Sequence, residues 1–490
     1  MAPATLTHLL EKTAAARPEA LAFGGLRWGE VALRVRMIAG GLAARGIGPG
    51  DRVALFLPNR PEFLLLLFAL ARRGACAILL NTRFRAAELA NLLARAQPCA
   101  IAVARDFAGV DAGAILGAVS LEARASLRFA IGADGLGEGS LAGLPVHPIA
   151  TLTGDSPDLA TPESEALTYT TSGTTAGPKL VLHRQRSLAL HARDVAARIG
   201  MAEPGAAFLA AVPLCGTFGL TAALAAMAGG AAIAMQERFD APAADALIRA
   251  QGITHLVAGD ELLLKLAEAA GGRPYAPFAF TGFAAFHGQA SRVMAASDAL
   301  GLAVRGVYGS SEAQALFAVQ EAGVAPGGGV PASAEAAFRL DAEGGLHLRG
   351  PSLFDRYLGG QGVEGWFATG DLATMQPDGR GFDFITRGGD ALRLGGFLVA
   401  PEEIEVFLAG HPGVRAVQVV EAEGQPVAFV IPGEGFDPEA LLRNARENLA
   451  RFKVPARVLT LDAFPVTDGP NGPKIQRATL RATLRAMARA

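Results

Sequence analysis

Residues 167–179 read Leu-Thr-Tyr-Thr-Thr-Ser-Gly-Thr-Thr-Ala-Gly-Pro-Lys. A short β-prone run, LTYT, feeds a loop of small hydroxyl residues and glycines that ends in proline and lysine. Such a loop lets the backbone come close to an anion. Its N–H and O–H groups donate to anionic oxygens, and the lysine adds charge. Thr171, Ser172, Gly173, Thr174, Thr175 and Lys179 are therefore candidate phosphate-binding residues. The string is not a Walker loop, because G-x-x-x-x-G-K-[ST] cannot be read from Gly173 or Gly177.

The sequence on either side alternates strand and helix patterns. Upstream, helical stretches at 33–44, 61–74 and 86–96 separate strand-like runs at 51–57, 75–81 and 99–104. Repeated β-α-β units imply a mostly parallel sheet covered by helices. Downstream, AAFLAAVP, HLVAG, FAFTGF and VRGVYG read as short buried strands between helices. From Phe338 the elements shorten (AFRL, GLHLRG, GWFATGDLA, GFDFITR), which predicts a β-rich segment. The tail, from about residue 391, reads as helix, strand, strand, helix and a last helix after Lys474.

Composition narrows the functional classes. The chain has 490 residues, room for about three domain-sized units. Lys+Arg 44 against Asp+Glu 46 leaves −2, which gives no electrostatic case for nucleic acid or acidic membranes. With 51% hydrophobic and 18% charged residues the chain is not disordered. Cys76, Cys99 and Cys215 have no metal-ligand spacing and form no disulfide framework, so a reducing, cytoplasmic setting is expected. Glu11 and Lys12 break any signal-peptide core. Residues 204–236 carry no charge, but their glycines and prolines predict buried strand, loop and helix and no membrane span. There are only five lysines, and Lys179 and Lys474 sit in Gly/Pro loops, where a compact ammonium is kept in an arginine-rich chain.

The loop at 171–179 resembles the phosphate-binding signature of the adenylate-forming superfamily (acyl-CoA synthetases, adenylation domains, luciferases), usually T-S-G-T-T-G-x-P-K, with Ala176 at the customary glycine. Further motifs follow in order. Tyr308-Gly-Ser-Ser-Glu312 resembles Y-G-x-T-E, and Trp366-Phe-Ala-Thr-Gly-Asp371 contains T-G-D. Arg387-Gly-Gly-Asp390-Ala-Leu-Arg393-Leu-Gly-Gly396 resembles R-x-x-D-x-x-K-x-x-G, with Arg393 in place of lysine. Asn471-Gly-Pro-Lys474-Ile-Gln-Arg477 resembles the G-K-I-x-[RK] loop, with Pro473 inserted. The resemblance runs from about Leu6 to Arg485.

The resemblance implies an α/β fold: a large N-terminal domain of mixed sheets flanked by helices (1–389) with a β-rich subdomain, and a small mobile α+β C-terminal domain (390–490) hinged near Asp390. It implies an ATP-dependent acyl-CoA synthetase that makes acyl-AMP and pyrophosphate, then transfers the acyl group to coenzyme A. The alternatives are a ligase with another acceptor, such as a carrier protein, and a non-catalytic adenylate-binding protein. Thr171, Glu312 and Lys474 would be catalytic, with Lys474 bridging carboxylate and α-phosphate. Tyr308 would lie near the adenine, Gly309 and Ser310 would also bind the nucleotide, Ser311 would meet phosphate, and Glu312 would hold Mg²⁺. Asp371 would accept the ribose hydroxyls, and Arg387 would contact ribose or α-phosphate. Arg393, Gly395 and Gly396 would face the coenzyme A side. A homodimer is left open.

The family's acyl-pocket histidine falls at Gly216 or Thr217 here. Phe218, Gly259, Thr281, Gly282 and Val307 are the expected apolar wall, suited to a small to medium aliphatic or aromatic acid. No carboxylate in 204–236 awaits an α-amine, which argues against amino acids. Cys215 reads as a small buried hydrophobe. His183 is explained equally well by phosphate-loop orientation or by packing. Arg477, Arg481, Arg485 and Arg489 form a stripe expected to face water.

Overall fold

The computed structural model describes residues 5–105, 107, 109–133, 135–171, 179–285, 290–325, 327–394, 397–399, 401–449, 451–469 and 472–487. For Thr171, Arg393, Phe397, Leu398, Phe452, Asp468, Pro473, Lys474, Arg485 and Ala486 it describes the backbone alone.

Among the described residues one sheet has the strand order Arg356–Tyr357, Lys179–Arg184, Glu165–Thr171, Cys76–Leu79, Arg52–Phe56, Ala100–Ala104, Phe129–Ala133, Leu144–Pro148, Gly139–Leu141. Its middle is parallel, as the β-α-β reading predicts, and its edges are antiparallel hairpins.

The second sheet starts with five parallel strands, in the order Ala232–Met235, Ala207–Ala210, His255–Gly259, Phe280–Ala284 and Val304–Ser310. It then turns antiparallel through Gln314–Val319, Gly328–Pro331, Phe382–Arg387, Phe367–Met375, Gly345–Arg349 and Ala337–Leu340. The β-rich segment is thus the continuation of this sheet. Val304–Ser310 is the seam between its two halves.

The helices follow from apolar patterning. Pro61–Arg72 begins at a proline, which suits the first helical position, and every residue from Phe63 to Ala71 is buried. Thr217–Gly229 is apolar on all sides and almost wholly buried, as such a helix must be in a soluble core. Together with Ala207–Ala210 and Ala232–Met235 it accounts for the uncharged stretch 204–236. No helix among the described residues is long and apolar enough to cross a membrane. The helix expected at 33–44 spans Trp28–Ala44. The Glu30 side chain accepts from the Arg27 backbone N–H at 2.7 Å, and Trp28 is fully buried, so the first turn is held at both ends.

The C-terminal segment packs on both faces of the sheet Val414–Ala422, Gln425–Pro432, Arg457–Thr460. Ile404, Leu408 and Leu441 cover one face, and Leu480 and Leu484 cover the other. In the last helix, Arg477–Met487, two of the arginines expected to face water, Arg477 and Arg481, do not; Arg489 and the side chain of Arg485 lie outside the described residues. The Arg477 side chain is only 15% exposed and binds Glu405 at 2.8 Å and Glu402 at 3.1 Å. Arg481 Nη2 donates to Asp390 Oδ1 at 2.9 Å, and Arg477 lies 3.8 Å from the same carboxylate. A buried carboxylate needs a charged partner. Burial pushes Glu405 up to about 7, although Arg477 opposes the shift.

Two buried histidines set an acid limit on stability. Burial lowers His183 and His191 to about 4 from their ordinary 6.5. Between those values the unfolded chain takes up protons that the folded chain refuses, so stability falls as pH drops through that window. Glu405 works in the opposite direction between about 7 and 4.5. Wild type should lose more urea resistance from pH 6.5 to 4.5 than His191→Gln does, by about 2–3 kcal/mol. Parallel curves for the two proteins would contradict this.

Candidate functional site

The phosphate-type loop is the tip of a β-hairpin. Glu165–Thr171 and Lys179–Arg184 pair antiparallel, with Thr171 opposite Lys179, so the register closes the loop at its neck. Ser172, Gly173, Thr174 and Thr175, in the tip, lie outside the described residues. Lys179 is exposed, its ammonium 4.6 Å from the centroid of the Tyr357 ring.

Tyr357 belongs to Arg356–Tyr357, which pairs with that hairpin (Tyr357 opposite Val181). An Arg184–Asp355 fork fixes the pairing, with Nε–Oδ1 at 2.6 Å and Nη2–Oδ2 at 3.2 Å. Burial works against ionisation of Asp355, but Arg184 and Arg356 outweigh it and hold the carboxyl below its ordinary range. The Tyr357 hydroxyl donates to Glu312 Oε1 at 2.9 Å. Burial and the Glu312 charge push that phenol well above its ordinary value. Tyr357 faces the candidate site, and the sequence reading did not single it out.

The turn that carries Glu312 is tightly built. A Cβ on Gly309 would sit 2.4 Å from the Gln314 carbonyl oxygen and 2.6 Å from Ala315 Cα, so only glycine fits. Ser310 Oγ accepts the backbone N–H groups of Glu312 and Ala313 at 3.2 and 3.1 Å. The Ser311 carbonyl accepts from His183 Nε2 at 2.7 Å, and Ser311 Oγ accepts from Thr217 Oγ1 at 3.2 Å. His183 is a buried ring, held neutral by burial, that ties the 310–312 turn to the hairpin. Thr217, one of the two positions where the family histidine falls, is spent on Ser311.

Tyr308 leads the same turn. Its hydroxyl donates to Asp371 Oδ2 at 2.5 Å, and its ring meets Phe382 edge-on with centroids 5.1 Å apart. Burial, then the Asp371 charge, raises its phenol far above the ordinary value. Asp371 is 6% exposed and lies opposite Arg387 in the register, with Arg387 Nε 3.1 Å from Oδ1. The T-G-D sequence builds this locally. Gly370 has φ +76°, a conformation that favours glycine, and Thr369 Oγ1 accepts the Asp371 N–H at 3.0 Å while donating to the Leu346 carbonyl at 2.8 Å. The Asp371 carboxylate thus lies between the Tyr308 hydroxyl and the Arg387 guanidinium.

The expected acyl wall is brought together only in part. Phe218 and Val307 are buried in the same cluster as Val257 and Phe280. Gly259 and Gly282 share the parity of Val257 and Phe280 on their strands and so lie on that face. Thr281 does not. It has the parity of Phe283 and pairs with Leu256, both in the cluster on the other side of the sheet, so strand alternation removes it from the wall. Cys215 is buried, and burial pushes its thiol up to about 12, which makes it inert as expected. Further along, Arg393 sits on the short hairpin Leu392–Leu394/Phe397–Val399, and Gly395 and Gly396 lie outside the described residues. Lys474 pairs through its backbone with Thr467 in the hairpin that precedes the last helix.

Comparison with known proteins gives concordant results. Residues 10–358 match the family described as AMP-binding enzyme, and residues 403–468 match the AMP-binding enzyme C-terminal domain. A 2–succinylbenzoate–CoA ligase of Geobacillus kaustophilus is 30% identical, over 94% of this chain and 95% of that one. A feruloyl-CoA synthase of an Amycolatopsis species is 29% identical, over 90% of this chain and 91% of that one. Among solved structures, the anthranilate CoA ligase AuaEII in complex with anthranoyl-AMP has the same fold, with TM-score 0.82 at 21% identity over 100% of this chain and 99% of that one.

Proposed function

This chain belongs to the AMP-binding enzyme family, and we propose that it is an AMP-forming acid–CoA ligase for a small to medium aliphatic or aromatic acid. One observation carries the reading: a single turn delivers Tyr308 to Asp371 and Glu312 to the Tyr357–Lys179 pair. A ribose-type acceptor and a phosphate-type cation thereby flank the same few residues. Full-length likeness to CoA ligases supports coenzyme A as the acceptor.

The acid's carboxylate attacks the α-phosphorus of ATP in line, and pyrophosphate leaves. Asp371 holds the ribose hydroxyls, Ser311 and Lys179 engage phosphate oxygens, and the Lys474 ammonium offsets charge between carboxylate and α-phosphate. Segment 390–490 then turns at the hinge near Asp390, withdrawing Lys474 and presenting the loop after Arg393. The thiol of coenzyme A attacks the acyl carbon, and AMP leaves with its proton balance met by solvent. One cleft serves both steps by domain alternation.

The residues present fit a magnesium ion that arrives with the nucleotide. Tyr357 occupies one oxygen of Glu312 and leaves the other, and Mg²⁺ needs only one or two carboxylates when phosphates and water complete its shell. Among the described residues no group of three or more His, Cys, Asp or Glu side chains is placed to hold a metal. Bound there, the ion would neutralise phosphate charge. The three free thiols suit a cytoplasmic location.

The test is ATP–pyrophosphate exchange over aliphatic, branched, aromatic and dicarboxylic acids, repeated with coenzyme A while AMP release is followed. Exchange with one acid class and AMP release dependent on coenzyme A are expected. ATP binding without exchange for any acid would favour the non-catalytic alternative, and exchange without coenzyme A-dependent AMP would favour another acceptor.

A further inference from the structure

We propose that Tyr357 is a positioning residue of the phosphate site, holding the Glu312 carboxylate and the Lys179 ammonium apart so that each stays available to its own ligand. The inference rests on the reading of Glu312 as the metal-side carboxylate. Tyr357 touches both groups with different parts of itself. Its hydroxyl donates to Glu312 Oε1 at 2.9 Å, and its ring lies 4.6 Å from Lys179 Nζ. Among the ion pairs of the described residues there is none between Lys179 and Glu312. A direct pair between these opposite charges would have to be broken before a metal–phosphate ligand could enter.

The tyrosine avoids such a pair with little hold on either partner. A neutral phenol occupies one carboxylate oxygen without cancelling its charge. A ring face retains an exposed ammonium only weakly, so a phosphate can take it. The ring itself is fixed. Tyr357 pairs with Val181, Leu358 N donates to the Leu180 carbonyl at 2.8 Å, and Phe354 packs against the ring with centroids 4.9 Å apart. The Phe354 N–H also donates to the Glu312 backbone carbonyl at 2.7 Å, which ties both ends of the device to one loop.

The test is calorimetric binding of ATP at a series of Mg²⁺ concentrations, without acid so that nothing turns over, alongside AMP binding without metal. Tyr357→Phe keeps the ring and removes the hydroxyl. Its AMP affinity should stay within about twofold of wild type, while the Mg²⁺ concentration for half-maximal ATP binding rises about tenfold, the scale of one hydrogen bond to a charged acceptor. Tyr357→Leu should also weaken ATP binding at saturating Mg²⁺. Should the Leu variant fail to fold, the nearly isosteric Phe variant decides alone. Glu312→Gln is the reference. If it shifts the Mg²⁺ midpoint and Tyr357→Phe does not, the role of Tyr357 is overturned and the reading of Glu312 stands. If neither shifts it, both fall. Equal losses of AMP and ATP affinity in the Phe variant would make Tyr357 merely structural and overturn the proposal.

Discussion

Lys474→Ala should slow acyl-adenylate formation by about 10²- to 10³-fold while leaving thioester formation from supplied acyl-AMP within about twofold. The asymmetry comes from where charge develops. In the first step a carboxylate approaches an anionic α-phosphate, and a fixed cation between them offsets repulsion that grows toward the transition state. In the second step a thiol displaces AMP from a neutral acyl carbon, and under the proposed rotation the lysine would be withdrawn. Lysine is scarce here, and the other lysine of the C-terminal segment, Lys453, pairs with Glu403 at 2.5 Å. Lys474→Arg should restore only part of the rate, because a planar fork does not replace a compact ammonium. The measurement is pyrophosphate exchange for one half-reaction and thioester formation from synthetic acyl-AMP for the other. Full exchange in Lys474→Ala would remove the residue from the first step. Equal losses in both would reduce it to a structural part of its hairpin.

Asp371→Ala should weaken ATP and AMP alike by about 10²-fold or more, since the two charge-assisted hydrogen bonds proposed to the ribose would each be worth about 1.5–3 kcal/mol. Some of that loss would come from the protein itself, because Tyr308 and Arg387 both face this carboxylate. A second comparison separates the causes. Wild type should bind ATP more tightly than 2′-deoxy-ATP, and in Asp371→Ala the two nucleotides should become equal. A discrimination that survives the substitution would place the ribose elsewhere and leave Asp371 as the partner of Tyr308.

Much of the architecture was legible because it is local. The helix expected at 86–96 is Ala86–Ala96, and the strand read at 255–259 is His255–Gly259. Both rest on a period, 3.6 or 2, that neighbouring residues carry by themselves. The motif turns were legible for the same reason: Gly309 and Gly370 occupy places that backbone geometry reserves for glycine. What the sequence could not show is which side chains meet across the sheet order. Tyr308 reaches Asp371 only because Gln314–Val319, Gly328–Pro331 and Phe382–Arg387 bring Phe367–Met375 round beside the seam. Tyr357 reaches Glu312 because a two-residue strand joins the edge of the other sheet. Thr281 was misplaced by one step of strand parity, and Arg477 and Arg481 by carboxylates more than seventy residues away in the chain.

The ionic knot at the foot of the last helix has a mechanical side. Arg481 grips Asp390, and Arg477 binds Glu405 while lying beside Asp390, only three residues beyond Lys474. Asp390 is thereby fastened to the segment that follows it. Just ahead, the Gly388 N–H donates to the Gly370 carbonyl at 2.8 Å, and Arg387 reaches Asp371. Gly389 lies between these two anchorages, inside a turn closed by the Asp390 and Ala391 N–H groups on the Arg387 carbonyl at 2.8 and 3.0 Å, and a Cβ built on it would touch nothing within 4 Å. Those two hydrogen bonds lie across the hinge proposed near Asp390, and a turn there would carry the last helix along with Asp390, to which Arg481 ties it.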